Sequence, residues 1–126
     1  MPISKPIDFN LFSFATGELS HSAFWAWVLQ TLCPDCPRSL EAVQPLAKSL
    51  LRRIGAAGID LAEVKTEYSV KASPNAGRMD IVAFGKERDV VIIEHKVDAV
   101  PYLPQIERYG QAMEPEYAVR AAVILS

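Results

Sequence analysis

The chain has 126 residues, a mass of 13.9 kDa and a formal net charge of −2, and half of its residues are hydrophobic. This size predicts a single domain over residues 1–126, and the composition excludes a disordered or low-complexity chain. The longest uncharged run, residues 19–34, is too short and too polar to cross a bilayer. Two cysteines cannot form a disulfide scaffold, and no signal-peptide pattern is present, so we expect a cytoplasmic protein without membrane contact.

The first predicted element is a helix over about residues 17–32, ended by the two prolines that follow. Glu18 and His21 lie three residues apart and share one face of this helix. The apolar stripe on another face, which we expect to contact the core, consists of Leu19, Ala23, Phe24 and Trp27.

The second predicted element is a helix over residues 45–54, with Pro45 in its first turn and Gly55 just after its end. Its apolar residues recur with helical spacing and predict one buried face. They are Val43, Leu46, Ala47, Leu50, Leu51 and Ile54.

Four strands and one further helix are predicted in the rest of the chain. Residues 64–70 alternate between apolar and polar and predict a strand with one wet face, followed by a strand over 78–84. The third strand, 90–97, begins with apolar residues on both faces, so we expect cover on both sides of the sheet. A helix over 105–113 leads to a last strand over 117–125, and this connection favours a fourth strand parallel to the third.

The last predicted strand lies close to the end of the sequence at Ser126. Its outer edge is expected to be poorly covered, and uncovered edges pair with other chains. We therefore expect either a C-terminally truncated chain or a homodimer mate or partner subunit that covers this edge.

The third strand carries charges on a face that is otherwise apolar. Residues two apart in a strand share a face, so Glu94 and Lys96 point the same way as Ile92. If the preceding hairpin closes around residue 87, paired positions sum to about 174 and Asp80 lies opposite Glu94.

Directly opposed carboxylates repel each other, and positive charge is needed to hold them together. Lys96 neutralises one of them, whereas a divalent cation such as Mg²⁺ binds both, with Glu18 as a further ligand directly or through water. The alternative is that Asp80 and Glu94 are ordinary solvated residues and that Lys96 forms a weak surface ion pair. The spacing alone favours this alternative, whereas the acid on the preceding strand and the apolar surroundings favour a metal site.

Four segments of the chain resemble the PD-(D/E)XK nuclease superfamily. They are Gly77–Asp80, Ile93–Lys96, the helix Glu18–Trp27 and the helix Gln105–Tyr109. The first helix looks like the E-x-x-H-S helix of a branch with mostly uncharacterised bacterial members, and the last resembles a Q-x-x-x-Y helix. The resemblance implies an α/β fold with a restriction-endonuclease-like αβββαβ core, in which a mixed sheet is flanked by helices and one extra helix follows the first.

The resemblance also implies a metal site that holds Mg²⁺ or Mn²⁺. In it Asp80 and Glu94 bind the ion, the main-chain carbonyl of His95 joins them, and Glu18 completes the acidic cluster. Lys96 is the implied catalytic lysine, which orients and helps to deprotonate the attacking water or stabilises charge on the phosphate.

The implied substrate-binding residues are Gln105 and Tyr109, which lie four residues apart on one helix face. His21 is a further candidate for substrate or metal contact, and the alternative of a structural histidine stays open. Met79 stands where many members of the superfamily have proline, a position that varies widely.

These residues predict a metal-dependent nuclease that hydrolyses phosphodiester bonds of nucleic acid, with DNA favoured, in phage defence, restriction or repair. One alternative is a catalytically inactive nuclease-fold module that binds protein or nucleic acid. Another is a fragment that needs a missing segment or a dimer mate. The pair Cys33 and Cys36 matches a zinc or redox motif only weakly, because the two histidines lie far apart in the sequence.

Overall fold

The computed structural model describes residues 9, 21–70, 77–95 and 103–125. Within these ranges the helices are α1 (His21–Gln30), α2 (Gln44–Arg53) and α3 (Leu103–Met113), with a short 3₁₀ helix at Arg38–Val43. The strands are β1 (Leu61–Tyr68), β2 (Met79–Gly85), β3 (Asp89–His95) and β4 (Ala118–Leu125). Among the described helices, none is long and apolar enough to cross a membrane.

The described strands form one mixed sheet in the order β1-β2-β3-β4. β1 and β2 are antiparallel, β2 and β3 are antiparallel, and β3 and β4 are parallel. The parallel pair needs a crossover, which α3 provides between β3 and β4. The predicted α/β class and the predicted direction of the fourth strand are therefore confirmed.

The register of the β2–β3 hairpin agrees with the sequence arithmetic. Ile81 pairs with Ile93 and Val82 pairs with Ile92, so paired positions sum to 174. One step further along the same register, Asp80 falls opposite Glu94. The sheet thus brings the two predicted acids to one end of the hairpin.

Both faces of the sheet are covered, because β3 sends apolar side chains in both directions. Val91 and Ile93 belong to a cluster with residues of α1 and α2, and Val90 and Ile92 belong to a cluster with residues of α3. All four are fully buried. Complete burial of each such side chain stabilises the fold by about 1.5–3 kcal/mol, and the predicted two-sided cover is confirmed.

The face that α1 presents to the core differs from the predicted one. Ala26 and Leu29 are buried against the sheet, whereas Phe24 is 37% exposed and Trp27 is half-buried. Trp27 donates a hydrogen bond from Nε1 to the main-chain carbonyl of Phe9, at 3.0 Å. The stripe prediction is thus wrong for Phe24 and Trp27 and right for Ala23, which is 2% exposed, whereas Leu19 lies outside the described residues. An indole N–H needs a polar partner, which the margin of the core offers and its centre does not.

The second helix forms as its sequence predicts, except at one position. Pro45 lies in the first turn, and Gly55 takes the left-handed conformation (φ +83°) that ends many helices. Leu46 is 44% exposed, so its predicted place on the buried face is wrong. Its neighbour Ala47 points about 100° away around the helix and is buried instead. The preceding 3₁₀ helix was not predicted.

At one edge of the sheet, β4 pairs with β3 and with no other strand among the described residues. The expected homodimer mate or partner subunit at this edge stays a prediction. The single domain over residues 1–126 stays a prediction as well.

Candidate active site

Asp80 and Glu94 meet at the end of the β2–β3 hairpin that lies away from its turn. The Glu94 Oε2 atom accepts a hydrogen bond from the main-chain N–H of Asp80, at 3.3 Å. Glu94 is 3% exposed and Asp80 is half-buried. The carboxylate of one predicted metal ligand therefore lies against the main chain of the other.

Glu94 reaches this position because it continues the alternation of β3. Val90 and Ile92 point towards α3, and Glu94 is the next residue on that face. A carboxylate at such a place costs free energy unless hydrogen bonds or positive charge compensate it. A buried acid at the end of an otherwise apolar face is thus a candidate for a functional role rather than a packing choice.

Tyr109 of α3 lies beside this acid pair. Its side chain is 1% exposed, and its hydroxyl donates a hydrogen bond to the main-chain carbonyl of Arg78, at 2.7 Å. Burial, together with the negative charges of Glu94 and Asp80, raises the pKa of Tyr109 to about 12, and the Arg108 guanidinium partly opposes this rise. The phenol is therefore a neutral hydrogen-bond donor near pH 7, and it lies within the electric field of both acids.

The turn that leads into β2 lies against the same tyrosine. Gly77 has φ +91°, a conformation that L residues with a side chain rarely adopt. A Cβ atom at Gly77 would stand 3.7 Å from the Tyr109 hydroxyl oxygen. The backbone conformation thus accounts for the glycine that opens the Gly77–Asp80 segment, since a Cβ atom there would only make an ordinary van der Waals contact with Tyr109.

Gln105 lies one helical turn before Tyr109 on α3 and is half-buried. Residues four apart share a helix face, so Gln105 and Tyr109 lie on the same side of α3. That Gln105 and Tyr109 both border the active site stays a prediction. Their contact with substrate stays a prediction.

Other predicted site residues are described in part or not at all. Glu18 and Lys96 lie outside the described residues. The main chains of His21 and His95 are described, at the start of α1 and the end of β3 respectively, but their side chains are not. Within the described ranges, no group of three or more His, Cys, Asp or Glu side chains is close enough to share a metal ion.

A sequence model of the PD-(D/E)XK nuclease superfamily matches residues 9–125. The chain belongs to this superfamily. The match includes Asp80, Glu94 and all the described helices and strands, and the superfamily suggests nuclease activity. Among curated proteins and among solved structures, no significant match to the chain was found.

A groove in the described part of this superfamily member lies away from the acid pair. It has a volume of about 680 Å³ and is lined by Leu32, Pro45, Lys48, Leu51, Arg52, Ala57, Gly58, Ile59 and Asp60. Asp60 precedes Leu61, which pairs with Gly85 at the far end of β2 from Asp80. Five residues of strand separate the two ends by roughly 17 Å, so the groove is not part of the candidate site.

The two cysteines lie between α1 and α2 and are free thiols. Burial, with a smaller contribution from the Glu63 charge, raises the pKa of Cys33 to about 12, and burial also raises the pKa of Cys36. A redox-active or metal-binding cysteine needs a lowered pKa, because the thiolate is the reactive form. The thiols therefore fit a structural role in this member of the superfamily.

Sequence reasoning missed the main-chain groups of the site. The carbonyl of Arg78 and the N–H of Asp80 each bind a side chain that the sequence singled out. The available signal was Gly77, because a glycine directly before a predicted strand often marks a backbone held in an unusual conformation.

Proposed function

We propose that this chain is a metal-dependent nuclease that hydrolyses phosphodiester bonds of nucleic acid, with DNA as substrate and Mg²⁺ or Mn²⁺ as the ion. The observation that carries the proposal is the pair of acids, in which the buried Glu94 carboxylate lies 3.3 Å from the main-chain nitrogen of Asp80. Membership of the PD-(D/E)XK nuclease superfamily over residues 9–125 supports the same conclusion.

The donor atoms of these two residues fit a hard divalent cation. Mg²⁺ prefers carboxylate oxygens, retains several waters and needs only one or two protein carboxylates. Asp80 and Glu94 are the proposed ligands, joined by the main-chain carbonyl of His95 and by Glu18. An ion held by these residues would supply Lewis-acid chemistry, that is, polarisation of a phosphoryl oxygen and a lowered pKa of a nearby water.

The remaining proposed residues act on the substrate. Lys96 follows Glu94 by two positions, so strand alternation favours the same face for both. Its ammonium group donates hydrogen bonds to a phosphate oxygen on which negative charge develops, and it orients the attacking water. Gln105 and His21 are the proposed substrate-binding residues, and the sequence also predicts Tyr109 for this role.

Cleavage of DNA by purified protein tests the proposal. The wild type is expected to cleave DNA with Mg²⁺ or Mn²⁺ and to stop when EDTA removes the ion. Asp80→Asn, Glu94→Gln and Lys96→Ala are each expected to lower the rate at least roughly 100-fold, the effect of about 2.7 kcal/mol of lost transition-state stabilisation. Asp60→Asn and Glu63→Gln are the matched controls and should retain full activity. Asp60 directly precedes β1, Glu63 lies in β1, and both acids are exposed.

Two results would contradict this mechanism. Equal cleavage by wild type and Lys96→Ala would remove the proposed role of the lysine. If the wild type binds the metal but cleaves neither DNA nor RNA, like Asp80→Asn, the result would favour a nuclease-fold module that binds nucleic acid or protein.

We place the protein in the cytoplasm, since a chain with two free thiols fits a reducing compartment.

A further inference from the structure

We infer that Tyr109 is a positioning residue whose hydroxyl fixes the main chain at Arg78 and thereby holds Asp80 beside Glu94. The inference rests on the proposed metal site at these two acids. It assigns Tyr109 a role different from the direct substrate contact that the sequence predicts.

The decisive contact is the hydrogen bond from the Tyr109 hydroxyl to the Arg78 carbonyl, at 2.7 Å. This bond crosses from α3 to the chain two residues before Asp80. Because a buried phenol hydroxyl is costly without a partner, the bond is strongly favoured over an open arrangement. The position of the Arg78 carbonyl is thus coupled to the position of α3.

The sheet ladder alone does not fix this part of the chain. β2 begins at Met79, which pairs with Tyr68 of β1, and the described pairs of β2 with β3 begin at Ile81 and Ile93. Arg78 precedes the first residue of the strand. The bond from Tyr109 therefore acts where regular pairing gives the least constraint on the backbone that carries Asp80.

The donor itself is rigidly held. The Tyr109 ring belongs to a buried cluster with Met79, Ile106 and Met113, so packing fixes the place of its hydroxyl. Gly77 lies beside the hydroxyl end of the ring, since a Cβ atom there would stand 3.7 Å from the hydroxyl oxygen and 3.8 Å from a ring carbon. Because the ring is closely packed, its hydroxyl holds the Arg78 carbonyl in a nearly fixed position.

Direct substrate contact by Tyr109 fits these observations less well. The side chain is 1% exposed, and its hydroxyl proton is already donated to the protein main chain. Residues that orient metal ligands from behind typically change metal affinity 10–100-fold when they are mutated. Loss of the Tyr109 hydroxyl should therefore weaken metal binding if the residue is a positioning residue, and should raise the KM for DNA if the residue contacts substrate.

The test is Tyr109→Phe in the full chain, which deletes the hydroxyl and keeps the ring. Mn²⁺ binding is measured by isothermal titration calorimetry in the absence of DNA, and kcat and KM are measured with DNA. The positioning role predicts an affinity for Mn²⁺ that is about tenfold weaker, a lower kcat and an unchanged KM for DNA.

Two control variants sharpen the result. Arg78→Ala keeps the main-chain carbonyl and should bind Mn²⁺ as tightly as the wild type. Tyr117→Phe deletes another hydroxyl at the same cluster, from a ring that packs on Phe84, and should likewise leave the affinity unchanged. Gly77→Ala adds a side chain at φ +91° and so strains the turn that leads into β2. This variant is expected to weaken Mn²⁺ binding and serves as a second test if Tyr109→Phe folds poorly.

The outcomes separate this inference from the proposed function. Wild-type affinity for Mn²⁺ in Tyr109→Phe, with a raised KM for DNA, would overturn the positioning role in favour of substrate contact. A lower unfolding temperature with unchanged Mn²⁺ affinity would reduce the tyrosine to a structural role. A wild type that binds neither Mn²⁺ nor Mg²⁺ would overturn the metal site itself, and this role with it.

Discussion

The carboxylate of Glu94 accepts a hydrogen bond from the main-chain nitrogen of Asp80 across the β2–β3 pair, at 3.3 Å. The bond links one proposed metal ligand to the backbone of the other. Any shift of β2 along β3 therefore moves one acid away from the other. The site is thus built on two adjacent strands, and the hydrogen bond from Tyr109 to Arg78 adds a constraint where β2 begins.

Metal binding should stabilise the fold through these two acids, because an ion that binds only the folded state raises its stability. Millimolar Mn²⁺ is expected to raise the unfolding temperature of the wild type and not that of Glu94→Gln. The glutamine retains an oxygen that accepts the Asp80 N–H, so the variant without metal should unfold within about 1 kcal/mol of the wild type. Thermal unfolding followed by circular dichroism measures both effects. Glu63→Gln is the matched control, and an equal shift in Glu94→Gln would contradict the site.

Two leucines of α2 should differ sharply in their contribution to stability. Leu51 is 2% exposed, and its replacement by alanine is expected to cost about 2–5 kcal/mol of unfolding free energy. Leu46 is 44% exposed, and the same replacement there should change stability by about 0.5 kcal/mol or less. Urea denaturation measures both values, and equal losses at the two positions would contradict the observed orientation of the helix.

The two thiols should react at different rates with an alkylating reagent. Because burial raises the pKa of Cys33 to about 12, roughly one in ten thousand molecules carries its thiolate at pH 8. Cys36 is less deeply buried, so iodoacetamide should label Cys36 first and Cys33 only in denaturant. Mass spectrometry of digested protein identifies the labelled residue, with Cys36→Ser as the control. Rapid labelling of Cys33 in the native protein would contradict its buried environment.

Stability should fall in alkaline solution. The pKa of Cys33 is about 12 in the folded chain against an ordinary 9.0, so above pH 9 the unfolded chain releases a proton that the folded chain keeps. The raised pKa of Tyr109, about 12 against 10.0, acts in the same direction from pH 10. Unfolding free energy is therefore expected to decrease from about pH 9 in the wild type, and between pH 9 and pH 10 it should decrease less in Cys33→Ala. Identical pH profiles for the two proteins would exclude this contribution of Cys33.

The sequence predicts the sheet well because its signals are local and periodic. Alternation fixes the faces of β3, and the short turn between β2 and β3 limits the register, so pairing Asp80 with Glu94 follows from arithmetic once the turn is located. The crossover through α3 in turn fixes the direction of β4.

The parts that could not be predicted depend on contacts between distant segments. Helical spacing gives several equivalent stripes on α1, and only the packed sheet selects Ala26 and Leu29 over Trp27. The 3₁₀ helix at Arg38–Val43 has no periodic signal that would distinguish it from a loop. The spacing of Gln105 and Tyr109 gives a shared helix face but cannot reveal that the hydroxyl of Tyr109 binds a main-chain carbonyl.

The most direct test of the central claim is a crystal structure of the full chain grown with Mn²⁺, with anomalous diffraction to locate the ion. We expect an anomalous peak in contact with carboxylate oxygens of both Asp80 and Glu94, at about 2.1 Å from each, the distance typical of small hard divalent ions. A peak that touches neither carboxylate, or carboxylates turned away from each other at saturating Mn²⁺, would contradict the shared metal site.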